Sequence, residues 1–156
     1  MPLFSKHSVP AEAAPLPRLH AISDPEREWI RAHVELVTHA GTDPTDLAQI
    51  RAVYERSIAT WRRINPPERD DPNVMINAIG MTFGQHLIGR VPLEWMIAED
   101  DDGTELALYE RRHDTLVYPA NLVAKRWVAE ELSGEFLVAT ADQVVAILGG
   151  RRRSRR

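Results

Sequence analysis

The sequence contains no cysteine, and this absence excludes a large part of protein chemistry. Disulfides, thiolate nucleophiles and cysteine-ligated zinc or iron–sulfur sites are all ruled out. Long apolar runs are also missing, because none approaches the roughly 20 residues that a membrane-spanning helix needs. The first six residues, MPLFSK, lack the hydrophobic region of a secretory signal. These absences predict a cytoplasmic protein without a membrane span.

Charge is distributed unevenly along the 156 residues, whose net charge is −4. Five of the 19 basic residues lie in the tail Arg151–Arg156, so residues 1–150 keep 14 basic against 23 acidic groups, a net charge of −9. An acidic body repels nucleic acid, whereas an arginine tail attracts it. Nucleic acid is therefore predicted as a partner only through Arg151–Arg156.

Proline and arginine content divides the chain into three parts. Residues 1–22 carry proline at positions 10, 15 and 17 between small residues, which favours extended chain and predicts a mobile leader. Residues 23–150 have the hydrophobic periodicity of a folded domain, and their length predicts a single one. Residues 151–156 are predicted to be a disordered basic tail.

Two helices are predicted directly after the leader. The first opens with a capping box, in which Ser23 and Glu26 bind each other's backbone N–H groups, and it ends at Gly41. The second opens with Asp43 as its cap and Pro44 at its first helical position. Apolar residues at three- and four-residue spacing mark one face of each helix. The short link between the two helices predicts an antiparallel helical hairpin.

A third helix begins in the same way, with Asp71 as its cap and Pro72 after it. It carries Gly80 and Gly84 four residues apart, on one face. Each glycine costs roughly 1 kcal/mol relative to alanine inside a helix. This spacing therefore predicts that another backbone packs closely against that face.

The hydrophobic period changes to two after the third helix, which predicts three short antiparallel strands in a meander. One face of this sheet is apolar, and the helices are expected to cover it. With tight turns, the expected cross-strand neighbours on that face are Trp95 with Leu108, Ile97 with Leu106, Leu108 with Leu116 and Leu106 with Tyr118.

Two helices are predicted after the meander. Pro119 starts the first, and a capping box of Thr140 and Gln143 starts the last. Together the elements predict a single α+β domain, with N-terminal helices, a three-stranded antiparallel β-meander and two C-terminal helices.

No motif of a catalytic or metal site is present. No two of the six histidines have the four-residue spacing of a helical metal pair, and the serine-nucleophile and phosphate-binding glycine motifs are absent. The acidic run before Gly103 fails the EF-hand spacing, because Ala98 and Tyr109 occupy ligand positions, so it predicts a hairpin turn. The sequence therefore predicts no catalytic residue, no metal and no cofactor, and it does not favour an enzyme.

The order of several short motifs resembles one bacterial family. These motifs are Ile79-Gly80, Phe83-Gly84-Gln85, Leu93-Glu94-Trp95, Asp102-Gly103, Tyr118-Pro119 and Lys125-Arg126. The family is the domain of unknown function numbered three-eight-zero-six, and the resemblance covers about residues 71–150. It implies a small α+β domain, and it implies no activity because the family has no established one.

Three functions remain open. The first is a non-catalytic protein-binding or regulatory module, whose partner surface is an outward sheet face beside an acidic turn. The residues of that surface are Glu94, Met96, Asp100, Asp101, Asp102 and Tyr109. The second is a small-ligand-binding protein or enzyme, with a site between the third helix and the sheet formed by Gln85, Trp95 and Arg126. The third is nucleic-acid association through the arginine tail.

Overall fold

A computed structural model of the protein describes residues 16–149, which form a four-stranded antiparallel sheet and five α-helices. The strands are β1 (Arg18–Ala21), β2 (Glu94–Asp100), β3 (Gly103–Glu110) and β4 (Thr115–Val117). The helices are α1 (Asp24–Thr38), α2 (Leu47–Arg63), α3 (Asn73–Ile88), α4 (Pro119–Val128) and α5 (Glu135–Leu148), with a short 3₁₀ helix at Pro66–Glu68.

The predicted α+β class is confirmed by this architecture. Predictions made for residues 1–15 and 150–156, including the arginine tail, fall outside the described residues. Within residues 16–149, no helix combines the length and the apolar character needed to cross a bilayer.

The sheet has four strands, in the order β1-β2-β3-β4, rather than the predicted three. The additional strand, β1, comes from the segment predicted to be a mobile leader, and it pairs antiparallel with β2. Arg18 and His20 both contact the carboxylate of Glu99, at 3.2 Å and 2.9 Å, which ties β1 to its neighbour. β1 also covers an edge of β2 that would otherwise present unpaired backbone groups.

The predicted register of β2 and β3 is confirmed. Trp95 lies opposite Leu108, and Ile97 lies opposite Leu106. Trp95 and Leu108 pack with the main core of the domain, so the helices cover this inner face of the sheet, as expected. A shift by one residue would have moved all of these side chains to the other face.

The predicted register of β4 is wrong by one residue. Leu108 lies opposite Val117 rather than Leu116, because the link between β3 and β4 has four residues, 111–114, one more than a tight turn allows. The pairing ends at Val117, so Leu106 has no neighbour in β4. Leu116 consequently lies on the opposite face of the sheet, in a small second apolar cluster.

Glu110 organises the link between β3 and β4. Its buried carboxylate accepts the backbone N–H of Arg112 at 3.1 Å and that of His113 at 2.7 Å, and it lies 3.0 Å from Nδ1 of the His113 ring. Burial acts to raise the pKa of Glu110, but these donors outweigh it, so the pKa is lowered. The ionised carboxylate therefore holds the link in place.

The helix starts follow the sequence only in part. α1 opens as predicted, since the N–H of Ser23 donates to the Glu26 carboxylate at 2.7 Å and the Ser23 hydroxyl accepts the N–H of Glu26. α2 opens later than predicted. Asp43 accepts hydrogen bonds from Thr45 in a turn before the helix, and Asp46 becomes the cap.

α5 is one continuous helix, so the predicted start at Thr140 is wrong. The Thr140 hydroxyl donates to the carbonyl of Phe136 at 2.7 Å, inside the buried part of the helix, rather than capping a new one. The helix instead starts after Gly134, whose N–H donates to the Glu55 carboxylate at 2.7 Å.

α3 is the central element of the fold. Ten of its 16 residues are buried, and a helix that is apolar all round belongs in the core. It packs against α1, α2 and α4. α1 packs on α3, most of whose residues are buried, rather than forming the predicted hairpin with α2.

Gly80 and Gly84 allow the closest contacts of α3. A Cβ atom on Gly80 would lie 2.7 Å from the Cα of Ala120 in α4, and one on Gly84 would lie 2.6 Å from Cζ2 of Trp95. Non-bonded carbon atoms normally stay about 3.5–4.0 Å apart. The predicted close approach of another backbone is therefore confirmed at Gly80, where α4 packs, whereas Gly84 contacts the side chain of Trp95 instead.

Replacing Gly80 by alanine is expected to lower the free energy of unfolding by about 1–2 kcal/mol. Alanine gains roughly 1 kcal/mol in helix propensity, but its methyl group would overlap the backbone of Ala120, and the cost of this overpacking is larger. Denaturant unfolding measures the difference. Gly89→Ala at the end of the same helix is the control, because its nearest neighbour would be 3.4 Å away. A Gly80→Ala protein as stable as the wild type would contradict this packing.

Replacing Glu110 by glutamine is expected to flatten the dependence of stability on acid pH. Because the folded pKa lies below that of an unfolded glutamate, about 4.3, the carboxylate stabilises the fold above that pH. This contribution is lost as the pH falls through the folded pKa. The free energy of unfolding should therefore drop more steeply below about pH 4.3 in the wild type than in Glu110→Gln. Equal slopes in the two proteins would contradict the role of Glu110.

Candidate functional site

Of the six residues predicted as a partner surface, Glu94, Met96, Asp100 and Tyr109 lie on one face of the sheet, and Asp101 and Asp102 lie in the turn at its end. The outer sheet face comprises Glu94, Met96, Ala98 and Asp100 of β2, with Glu105, Ala107 and Tyr109 of β3. Glu94 lies opposite Tyr109 at one end, and Asp100 lies opposite Gly103 at the other. At roughly 3.3 Å per residue, these ends are about 20 Å apart.

The acidic turn, Asp100 to Asp102, closes one end of the outer sheet face. The N–H of Asp102 donates to the Asp100 carboxylate at 2.8 Å, and Gly103 follows with a φ of +131°, a conformation that favours glycine. Asp101 and Asp102 are exposed. The run is thus a hairpin turn, as predicted, and it presents two carboxylates to solvent.

The centre of the outer sheet face is apolar. Ala98, Ala107 and Leu116 are buried there, and Leu19 and Tyr109 pack beside them, half-buried. Among the described residues, this cluster is built from the strands and the residue that follows β4. It is separate from the main core, which lies on the inner face. The outer sheet face therefore combines an apolar centre with an acidic end.

Negative charge accumulates toward the acidic turn. The surrounding protein removes part of the water around the Glu105 carboxyl, and this desolvation raises its pKa. The negative charge of Asp100 raises the pKa further, whereas the positive charge of Lys125 lowers it. Asp100 and Glu105 lie on the same face, in neighbouring strands. A positive group placed here would relieve the repulsion between these two carboxylates.

Tyr109 is held in a fixed position at the other end of the face. Its hydroxyl donates to the Asp114 carboxylate at 3.1 Å. Burial, followed by this hydrogen bond, raises the pKa of Tyr109, so the hydroxyl stays protonated as a donor. A half-buried aromatic ring anchored by its polar end is a common feature of protein-binding surfaces.

The predicted ligand residues are only partly brought together. The indole N–H of Trp95 donates to Oε1 of Gln85 at 2.7 Å, and the Trp95 ring packs directly over Gly84. Arg126 has other partners: it donates to the Glu131 carboxylate at 3.1 Å, and its guanidinium lies 5.4 Å from the centre of the Phe136 ring. Gln85 and Trp95 therefore stabilise the contact between α3 and the sheet, and Arg126 stabilises the end of α4.

A cavity that the sequence did not predict lies between α2, residues 70–75 and α4. This tryptophan cavity has a volume of about 660 Å³ and includes Trp61 and Trp127 in its wall. Trp61 donates its indole N–H to the carbonyl of Asp70 at 3.0 Å, and the Arg69 guanidinium lies over its ring. The indole N–H of Trp127 is buried and has no acceptor among the described residues.

A second unpredicted cavity lies between α1, α3, α4 and β3. This asparagine cavity has a volume of about 420 Å³ and is lined in part by Trp29, Asn73, Asn77, Glu105 and Asn121. The four-residue spacing of Asn73 and Asn77 on one helix face was the only local signal for it. The other residues come from elements distant in sequence, so periodicity could not connect them.

No group of three or more histidine, aspartate or glutamate side chains within residues 16–149 is arranged to hold a metal ion. The reactive groups near the outer sheet face have structural partners instead, as Glu99 and Glu110 illustrate. The exposed carboxylates of the outer sheet face can attract a positively charged group, and its apolar side chains can pack against an apolar one.

The chain matches the family model of DUF3806, a domain of unknown function, over residues 46–135. The match covers α2, α3, β2, β3, β4 and α4, and thus starts earlier in the chain than the predicted resemblance. It includes the whole outer sheet face, whereas β1 and α1 lie outside it. No protein with a curated description and no solved structure matches the chain. Because the match spans more than half of the sequence, the chain belongs to the DUF3806 family.

Proposed function

We propose that the protein is a non-catalytic binding module that docks a basic segment of another protein on its outer sheet face. The observation that carries this proposal is the combination of an apolar centre with an acidic end on one face of the sheet. Protein interfaces commonly have an apolar centre surrounded by polar groups. The acidic turn selects a partner of positive charge.

Each part of the face has a distinct role in this proposal. Half-buried Met96 supplies apolar contact area, and Tyr109 acts as an aromatic anchor that is ordered before binding. Asp101 and Asp102 attract the partner over a distance, which speeds association. The repulsion between Asp100 and Glu105 is relieved when a cation arrives. Pre-ordered groups lose less entropy on binding, which favours affinity.

Binding is favoured over catalysis because the polar groups around the face are already engaged. Asp100 accepts a hydrogen bond within its turn, Glu99 contacts Arg18 and His20, and Glu110 holds the link after β3. The remaining exposed carboxylates act through their charge. We place this activity in the bacterial cytoplasm, in accord with the lack of cysteine and with the bacterial family that the sequence resembles. Nucleic-acid association through Arg151–Arg156 stays a separate prediction.

Replacing Asp101 and Asp102 together by asparagine is expected to slow association with the partner about 3- to 10-fold at low salt and to weaken its salt dependence. Asp100 is left intact because it holds the turn. The partner is first captured from the lysate of the native host on the wild-type chain. Association rates of the variants are then measured with the purified partner.

A double variant with Asp24→Asn and Asp142→Asn changes the net charge equally at exposed positions of α1 and α5. It should associate at nearly the wild-type rate. Met96→Ser should speed dissociation, because it removes apolar contact area from the middle of the face. Wild-type binding by both the Asp101/Asp102 double variant and Met96→Ser would contradict the proposed surface.

A further inference from the structure

The asparagine cavity opens beside an uncovered part of the sheet. β4 pairs only with Leu108–Glu110, so the first half of β3 has no strand on that side. α3 and α4 lie alongside and approach each other closely at Gly80 and Ala120. The resulting cleft of about 420 Å³ falls within the size range of small-molecule sites.

Four polar side chains line this cavity without using their hydrogen-bonding groups. These residues are Asn73, Asn77, Asn121 and Glu105. None of the four side chains forms a hydrogen bond or ion pair with another described residue, although Asn77 and Asn121 are half-buried. Asn73 and Glu105 are exposed, so solvent reaches these side chains and a ligand that binds here would replace it. Each carboxamide offers two donor hydrogens and an acceptor oxygen, and the carboxylate offers acceptors.

Trp29 supplies an aromatic wall from α1. Trp29 is 39% exposed, and its ring packs against the ring of His33, with the two ring centres 3.9 Å apart. Buried Met81 and half-buried Leu106 also line the cavity, which gives it an apolar part. The aromatic ring can pack against the C–H groups of a ligand while the carboxamides bind its polar groups.

From this arrangement we infer that the asparagine cavity binds a neutral polyhydroxylated small molecule of the monosaccharide class. A hydroxyl group both donates and accepts, as a carboxamide does, so three carboxamides and a carboxylate suit several hydroxyls at once. The negative charge of Glu105 disfavours an anion, and no arginine lines the cavity. The four polar side chains disfavour a purely apolar ligand, because it would leave them without partners. Glu105 borders both this cavity and the outer sheet face, so the variants that test the cavity leave Glu105 unchanged.

The test titrates the full chain with three neutral probes: D-glucose, D-ribose and N-acetyl-D-glucosamine. Saturation-transfer NMR detects the bound probe, and tryptophan fluorescence gives its affinity. We expect at least one probe to bind, and Trp29→Ala and Asn77→Ala each to weaken its binding about tenfold or more. Asn65→Ala changes an exposed asparagine that does not line the cavity, and it should keep the wild-type affinity.

Circular dichroism checks that each variant is folded, and Asn121→Ala replaces any variant that is not. Loss of binding in the folded cavity variants, with binding retained by Asn65→Ala, would support the site. The absence of saturation transfer to all three probes would overturn the inference. So would equal binding of a probe by the wild type and the folded cavity variants.

Discussion

The close approach of α3 to its neighbours is the constraint on which the rest of the structure depends. Gly80 lets the backbone of α4 contact α3, and Gly84 lets the ring of Trp95 lie flush against the helix. A Cβ atom at Gly80 would force α4 away from α3, and one at Gly84 would displace the Trp95 ring. The indole N–H of Trp95 also donates a hydrogen bond to Gln85, which orients the sheet relative to α3.

This packing determines which surfaces are left for function. The inner face of the sheet is occupied by the core, so the side chains of the outer sheet face, including Met96 and Tyr109, are the ones available for a partner. β4 is short, and the adjacent half of β3 lies open beside α3 and α4. The two proposed sites meet at Glu105, and variants that leave Glu105 intact test each of them.

Local signals in the sequence predicted the local features well. The capping box at Ser23, the start of α4 at Pro119 and the register of Trp95 against Leu108 all depend on residues near in sequence or on a strict alternation of side chains. The spacing of Gly80 and Gly84 also predicted close packing, although not the partners of each glycine. The position of Glu94, Met96, Asp100 and Tyr109 on one face of the sheet followed from the same alternation.

Features that depend on distant residues were not predicted. β1 has only four residues, and it pairs with a strand that is distant in sequence, with Arg18 and His20 contacting Glu99 across the pair; no local pattern reveals this contact. The register of β4 depended on the link that Glu110 stabilises, whose length the alternation does not specify. The asparagine cavity combines side chains from four elements, so its residues became neighbours only in the folded chain.

A partner protein that docks on the outer sheet face would shield the backbone of β2 and β3 from solvent. Hydrogen–deuterium exchange of the full chain, free and bound to its captured partner, tests this most directly. We expect slowed exchange on binding to be concentrated in peptides covering residues 94–109. Unchanged exchange in those peptides, with protection confined to other parts of the chain, would contradict it.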